Sequence, residues 1–190
     1  MPAGTPTWMQ ALRATGYRTS LFGKTHWHPH QGDLRDREHL LHAYGFDDIV
    51  EVTGPRASAH TGSHMTDAWE AAGQWQAFKK DYADRFANCP QVVRPSPLDP
   101  NLYYDAWVGQ QAVQYLSEYD RPDPWFCWVS FPGPHEPWDT PEPYAGLYDP
   151  DQMPRPAPVP HSMADRPNGK LDDMLAHPPV DLGESESGKL

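Results

Sequence analysis

The sequence predicts an α/β fold in which helices flank a mostly parallel or mixed sheet. Two observations support this prediction. Helical and strand patterns alternate along the chain as far as Phe131, and such alternation is typical of layered folds with parallel strands. The run "WFCWVSF" is apolar along nearly its whole length, as expected for a strand that is buried on both faces.

The first helix is predicted in "TPTWMQALRATG", with Thr5 as its N-cap, Pro6 in the first helical position and Gly16 as its end. Trp8 and Leu12 would form its apolar stripe. The segment "YRTSLF" follows directly and predicts a short strand that a glycine closes.

A second strand and two longer helices are predicted in the middle of the chain. The segment "HLLHAYGFDDIVEV" indicates a short helix, a break at Gly45 and a strand from about Asp48 to Val52. A further helix is predicted from Asp105, as its N-cap, to Glu118. Apolar residues recur at helical spacing, with an interruption at Gly73, over Met65, Trp69, Ala72, Trp75, Phe78, Tyr82 and Phe86. We interpret this stripe as helix packing and not as a ligand platform.

Composition excludes several classes of function. The net charge of -11 argues against nucleic acid or acidic lipid as a partner, because phosphate backbones need a broad basic face. No apolar run approaches the roughly 20 residues that span a bilayer, and no secretory signal is visible, so a cytoplasmic location is the default expectation. Cys89 and Cys127 form neither a disulfide framework nor a zinc motif, and Cys127 is expected to be an inert core thiol.

Basic side chains are concentrated where two of the predicted strands end. Lys24 and His26 follow the first strand, and His135 follows the strand "WFCWVSF". Ligand sites of open α/β sheets lie off the carboxyl ends of the strands, so these three side chains could converge there. A lysine with two imidazoles suits the negative charge that develops when a sulfuryl or phosphoryl ester is transferred.

Other interpretations of these residues remain open. Lys24 could be a solvated loop lysine, and His135 could be structural. The alternating histidines His26, His28 and His30 could bind a metal, and an unrelated metal-dependent hydrolase could use His26 with His28. Taken individually, His28 and His30 are expected to be surface loop histidines.

Two blocks of the sequence resemble the sulfatase family, in the alkaline phosphatase superfamily. "LRATGYRTSLFGKTHWH" is similar to a family segment with the approximate pattern L-x-x-x-G-Y-x-T-x-x-x-G-K-W-H. "WFCWVSFPGPHEPWDTPEPYAGLYDP" is similar to a later block, an apolar strand followed by P-H-x-P and a proline-rich loop. Thr25 departs from the pattern, since tryptophan is commoner there.

The resemblance implies roles for three residues. Lys24 and His26 would contact the sulfate group or the leaving-group oxygen, and His135 would also face the sulfate. The expected catalytic residues are thus His26 and His135, the expected substrate-binding residues are Lys24, His26 and His135, and no metal ligand is assigned. The substrate would be a small-molecule sulfate ester.

The resemblance also implies a divalent cation, with calcium the expected ion, and a formylglycine nucleophile made within a C-x-P-x-R signature. Neither "CPQVV" nor "CWVSF" has that signature. The resemblance therefore implies the central part of a sulfatase, with the family's metal-binding segments before Met1 and beyond Leu190. We expect a partial catalytic domain over residues 1 to 160, and a polar, proline-rich segment over residues 161 to 190.

The function predicted on this basis is that of a sulfuric ester hydrolase. A phosphodiesterase or phosphonate monoester hydrolase of the same superfamily is one alternative. A catalytically inactive truncated product is another, and the chain by itself is expected to show no turnover.

Overall fold

The computed structural model describes residue 2, residues 4 to 88 and residues 93 to 155. Its strands are β1 (Arg18–Lys24), β2 (Asp48–Val52) and β3 (Trp125–Ser130). All pair in parallel, in the order β2-β1-β3. The α-helices are α1 (Trp8–Ala14), α2 (Glu38–Ala43), α3 (Pro55–Ser58), α4 (His64–Ala71), α5 (Trp75–Asn88) and α6 (Tyr104–Ser117). The predicted α/β class with a parallel sheet is confirmed.

The sheet separates two hydrophobic cores, because alternate residues of each strand point to opposite faces. On one face Phe22 and Val52 pack with residues of α4, α5 and α6, including Trp69 and Phe78. On the other face Leu21 packs with residues of and around α1 and α2, which are Met9, Leu41, Tyr44 and Phe46. The helices thus cover both sides of the sheet, and the strand ends remain as the edge where polar loops gather.

The first helix begins two residues later than predicted. Thr7, and not Thr5, is its N-cap, because the Thr7 side chain accepts from the backbone of Gln10 and the Gln10 side chain accepts from Thr7 N–H. The buried residue of this helix is Met9, whereas Trp8 is 52% exposed.

The helical stripe in the middle of the chain is confirmed as core packing. Met65 and Trp69 in α4 and Phe78 in α5 are almost fully buried, and the predicted interruption falls at Gly73, whose φ is +70°. The N-cap predicted for α6 is wrong. Tyr103 occupies that position, and Asp105 lies inside the first turn.

The prediction that the last strand is buried on both faces is wrong in degree. β3 ends at Ser130, and its residues are partly exposed, with Trp125 at 50%. Within the described part of the chain, β3 pairs only with β1. Cys127 is half-buried, and burial raises the pKa of its thiol, as expected for an unreactive group. Cys89 lies outside the described residues.

The first strand continues through Gly23 to Lys24, where the sequence had suggested that the glycine ends it. Gly23 has φ of +118°, and a Cβ there would lie 1.9 Å from the carbonyl oxygen of Ser130. A glycine is therefore required for β1 to pair with β3 right up to the site, and it is this pairing that carries Lys24 to the sheet edge.

After β3 the described residues form loops and 3-10 turns at Tyr144–Gly146 and Pro150–Gln152. The chain divides into two units at residues 145 and 146, and every strand and α-helix described above belongs to the first. The segment predicted over residues 161 to 190 lies outside the described residues. In the described part, no helix is both long enough and apolar enough to span a bilayer.

Candidate active site

Three loops leave the sheet at the carboxyl ends of its strands. Residues 25 to 30 follow β1, Thr53 and Gly54 follow β2, and residues 131 to 136 follow β3. Because β1 pairs in parallel with both neighbours, all three loops emerge at the same edge. The expectation that the strands before Lys24 and before His135 end at one edge of the sheet is confirmed, and these two strands are direct neighbours.

Lys24 is the last residue of β1, and its side chain lies against the start of α3. A Cβ placed on Gly54 would lie 2.8 Å from Lys24 Nζ and 3.1 Å from its Cε. Burial lowers the pKa of the Lys24 ammonium, while the nearby carboxylate of Glu136 raises it. Lys24 is partly buried and held between two loops, unlike a freely solvated lysine.

His26 lies on the exposed side of the loop that follows β1. Partial burial lowers the pKa of its imidazole, and the positive charges of Lys24, His30 and His135 lower it further. The rings of His26 and His30 stack with their centroids 5.7 Å apart, and Lys24 and His135 are near enough for their charges to act on His26. The structure therefore brings Lys24, His26 and His135 together, while their roles stay predictions.

The loop after β3 is anchored on the helix α6. The backbone N–H of Gly133 donates to Asp105 Oδ1 at 2.9 Å, so the carboxylate that the sequence suggested as a helix cap fixes this loop. Two residues on, His135 Nδ1 lies 2.8 Å from Glu136 Oε2. The same nitrogen lies 3.0 Å from the backbone carbonyl oxygen of Glu136, so Glu136 orients the imidazole through Nδ1 and the opposite nitrogen, Nε2, is left for a ligand.

His28 and His30 are not surface histidines, and that prediction is wrong. Their side chains are 2% and 8% exposed, and both turn inward towards Glu51 of β2, whose side chain is 3% exposed. Burial alone would raise the pKa of Glu51, but contacts with His30 and Thr25 and the positive charge of the two histidines hold it below its usual value. Glu51 is therefore a buried carboxylate with basic partners, which we call the Glu51 cluster (His28, His30 and Glu51).

Comparison with known proteins decides the family. The sequence model of the family described as Sulfatase matches residues 2–175. The chain belongs to the sulfatase family. Each of the two sequence blocks that resemble the family contains one strand, β1 or β3, together with the polar loop that follows it.

Individual relatives of this sulfatase chain are distant. An arylsulfatase of Clostridium perfringens (strain 13 / Type A) is 27% identical over 142 residues, which cover 74% of this chain and 29% of that protein. The phosphonate monoester hydrolase of Agrobacterium radiobacter is 20% identical with a TM-score of 0.46, over 81% of this chain and 30% of that one. The phosphonate monoester hydrolase SpPMH from Silicibacter pomeroyi is 24% identical with a TM-score of 0.47, over 84% and 32%. This chain thus spans about a third or less of the length of these proteins.

The resemblance implies a divalent cation, and the described residues can be tested for one. The group of three potential ligands that they contain is the Glu51 cluster. Calcium takes roughly six to eight oxygen ligands, whereas this cluster offers two imidazole nitrogens and one carboxylate. The cluster therefore does not fit the calcium ion that the resemblance implies.

Three residues of the site were missed from the sequence of this sulfatase chain. Glu51 interrupts the apolar part of the strand "DIVEV", and a charged residue inside a buried strand indicates that it has a buried partner. Glu136 follows His135 directly and could have been proposed as its partner. Gly54 gave no signal, because its importance depends on the course of the Lys24 side chain.

Proposed function

We propose that this chain provides the sulfate-binding part of a sulfuric ester hydrolase that acts on small-molecule sulfate esters. The observation that carries the proposal is the parallel pairing of β1 with β3, which sets the loops bearing Lys24, His26 and His135 side by side. Membership of the sulfatase family and the similarity to an arylsulfatase of Clostridium perfringens support sulfate over phosphonate.

The three residues divide the work according to their chemistry. The Lys24 ammonium stabilises the negative charge of the ester oxygens in the ground state and the transition state alike. His26 and His135 donate hydrogen bonds or a proton to the leaving oxygen. Glu136 is a positioning residue, since its carboxylate and its backbone carbonyl oxygen both contact His135 Nδ1 and leave Nε2 as the ring nitrogen that can serve the ester.

We further propose that the complete hydrolase uses a formylglycine nucleophile and a divalent cation, with calcium as the expected ion. Family resemblance supports both assignments. The Glu51 cluster, which is the candidate ligand group among the described residues, does not fit calcium, so no step of the reaction is assigned to this ion through it.

The division of roles is tested by the dependence of rate on the leaving group. In the complete hydrolase that contains this chain, we expect His26→Ala or His135→Ala to lower kcat/KM for an alkyl sulfate by about 100- to 10,000-fold. The loss should be much smaller for nitrophenyl sulfate, whose leaving group scarcely needs protonation. Lys24→Ala should slow both substrates similarly.

The matched control is His39→Ala, because His39 is an exposed histidine on α2 and should leave both rates unchanged. Equal losses for both substrates in the two histidine variants would contradict the assignment of proton donors. Faster turnover of a phosphonate monoester than of the matching sulfate ester would favour the phosphonate hydrolase alternative.

A further inference from the structure

The Glu51 cluster combines three ligand-type side chains in a nearly closed space. His28 Nε2 lies 2.8 Å from Glu51 Oε2, and His30 Nε2 lies 3.4 Å from Glu51 Oε1. The three potential ligand atoms all lie within 4.8 Å of one another. Two ligands of a tetrahedral zinc ion, each at about 2.0 Å, are separated by about 3.3 Å, so the two observed contacts bracket the distance that a bound ion would impose.

Both ring nitrogens of His28 lie close to oxygen atoms, and this arrangement favours a positive species between its ring and Glu51. His28 Nδ1 lies 3.2 Å from the carbonyl oxygen of Pro29, and only a protonated Nδ1 can make that bond. In a neutral imidazole the other nitrogen, Nε2, then carries a lone pair. That lone pair would face a carboxylate oxygen at 2.8 Å, which is repulsive unless a proton or a metal ion lies between them.

His30 separates these two explanations. A second proton on His28 would satisfy the contact between His28 and Glu51. It would leave His30 Nε2, which is buried and lies 3.4 Å from Glu51 Oε1 but makes no contact of hydrogen-bond geometry among the described residues. Leaving a buried polar atom unpaired costs about 1 to 3 kcal/mol. A metal ion in the cluster would satisfy the nitrogen of His30 and that of His28 together.

We propose that His28, His30 and Glu51 bind one zinc ion, separate from the cation expected of the complete hydrolase. Two imidazoles and one carboxylate form a ligand set that zinc uses in proteins, and imidazole favours zinc over calcium or magnesium. Thr25 supports the ligands, because its hydroxyl donates to Glu51 Oε1 and fixes the carboxylate.

The zinc ion fastens the loop after β1 onto β2. His28 and His30 belong to the loop and Glu51 belongs to the strand, so a shared ion joins two segments that are far apart in sequence. The ligand side chains are 2% to 8% exposed, so the protein encloses the ion on most sides, and three protein ligands leave a fourth zinc position for a water molecule. His26 is outside the group of ligands, although its ring stacks on that of His30 at 5.7 Å.

The test is direct binding of zinc to the complete chain, freed of metal and without an affinity tag. We expect one zinc ion to remain per chain after gel filtration, and zinc to raise the melting temperature. Loss of a residue that only supports a ligand weakens metal binding by roughly 10- to 100-fold, so loss of a ligand should cost at least as much. His30→Ala and Glu51→Gln should therefore both lose the zinc ion on the column.

Two control variants define the site. His26→Ala should retain zinc, because His26 is not a ligand, and its loss there would instead indicate a site built on His26 and His28. His39→Ala, which removes an exposed histidine, should also retain zinc. Excess calcium should not displace the ion.

A measurement on the unaltered protein guards against variants that fail to fold. Cobalt(II) added to the metal-free chain should give the visible absorption bands of a cobalt ion with a low coordination number, and added zinc should abolish these bands. The proposal is overturned if the unaltered chain binds neither ion, or if a folded His30→Ala retains zinc as tightly. None of these measurements uses sulfate binding or turnover, so their outcome is independent of the proposed hydrolase function.

Discussion

Replacing Gly54 by alanine should displace the Lys24 ammonium without unfolding the protein. The added Cβ would lie 2.8 Å from Nζ, which is the far end of a flexible side chain. Gly54 has φ of -70° and ψ of 166°, a conformation that alanine adopts readily. We therefore expect a stability change within about 1 kcal/mol, the usual scale for an N-cap position.

The effect on anion binding follows from the distance that the ammonium must move. Ordinary van der Waals contact begins near 3.4 Å, so Nζ must retreat from 2.8 Å by about 0.6 Å. Withdrawing a unit charge from about 3.0 to about 3.6 Å of an anionic oxygen, at an effective dielectric constant of about 20, costs about 0.9 kcal/mol. The affinity for sulfate should therefore fall about fivefold.

The assay is calorimetric titration of the chain with inorganic sulfate at low ionic strength. Gly4→Ala is the matched control, since no atom lies within 4 Å of the added Cβ, and it should bind sulfate like the unaltered chain. Lys24→Ala sets the lower limit of affinity. If Gly54→Ala binds sulfate with unaltered affinity while Lys24→Ala does not bind, the ammonium does not act from the position described here.

Two further predictions concern stability. Gly23→Ala should abolish cooperative thermal unfolding, because its Cβ would lie 1.9 Å from the Ser130 carbonyl oxygen. The backbone φ of +118° adds a strain of roughly 1 to 3 kcal/mol for alanine. A melting temperature near that of the unaltered protein would refute this prediction. Burial raises the pKa of Asp139 in the folded protein above its unfolded value of 3.8, although Tyr104 donates to the carboxylate. The contribution of Asp139 to folding stability is therefore fully present below the unfolded pKa and is lost as the pH rises through the folded pKa. The stability of Asp139→Asn relative to the unaltered chain should therefore increase as the pH rises above about 4, and parallel pH profiles would show that Asp139 does not titrate as proposed.

Local patterns were sufficient to predict most of the elements. The strand β2 has the predicted bounds, and the helical stripe breaks at Gly73 as its spacing indicated. The start of α1 was mistaken although the sequence contains the capping pattern T-x-x-Q from Thr7 to Gln10. The partial exposure of β3 could not be predicted, because an apolar run does not reveal how many strands pair beside it.

The members of the candidate site that the sequence suggested lie at, or a few residues beyond, the ends of two strands. Lys24 ends β1, and His26 and His135 follow the ends of β1 and β3, two strands that turn out to be neighbours, so the general location of sites in parallel sheets was enough to suggest these residues. The inward orientation of His28 and His30 could not be predicted, since it depends on the register that places Glu51 beside Gly23. Contacts across neighbouring strands are set by packing of the whole sheet.

Carbon-13 NMR of the histidine rings during a sulfate titration tests most directly whether the two loops share one anion site. If Lys24, His26 and His135 form that site, the ring signals of His26 and His135 should shift together, with a single dissociation constant. Lys24→Ala should weaken both responses equally, and the signal of the exposed His39 should not move. Shifts of the two rings with different dissociation constants, or a response of only one of them, would contradict a shared site.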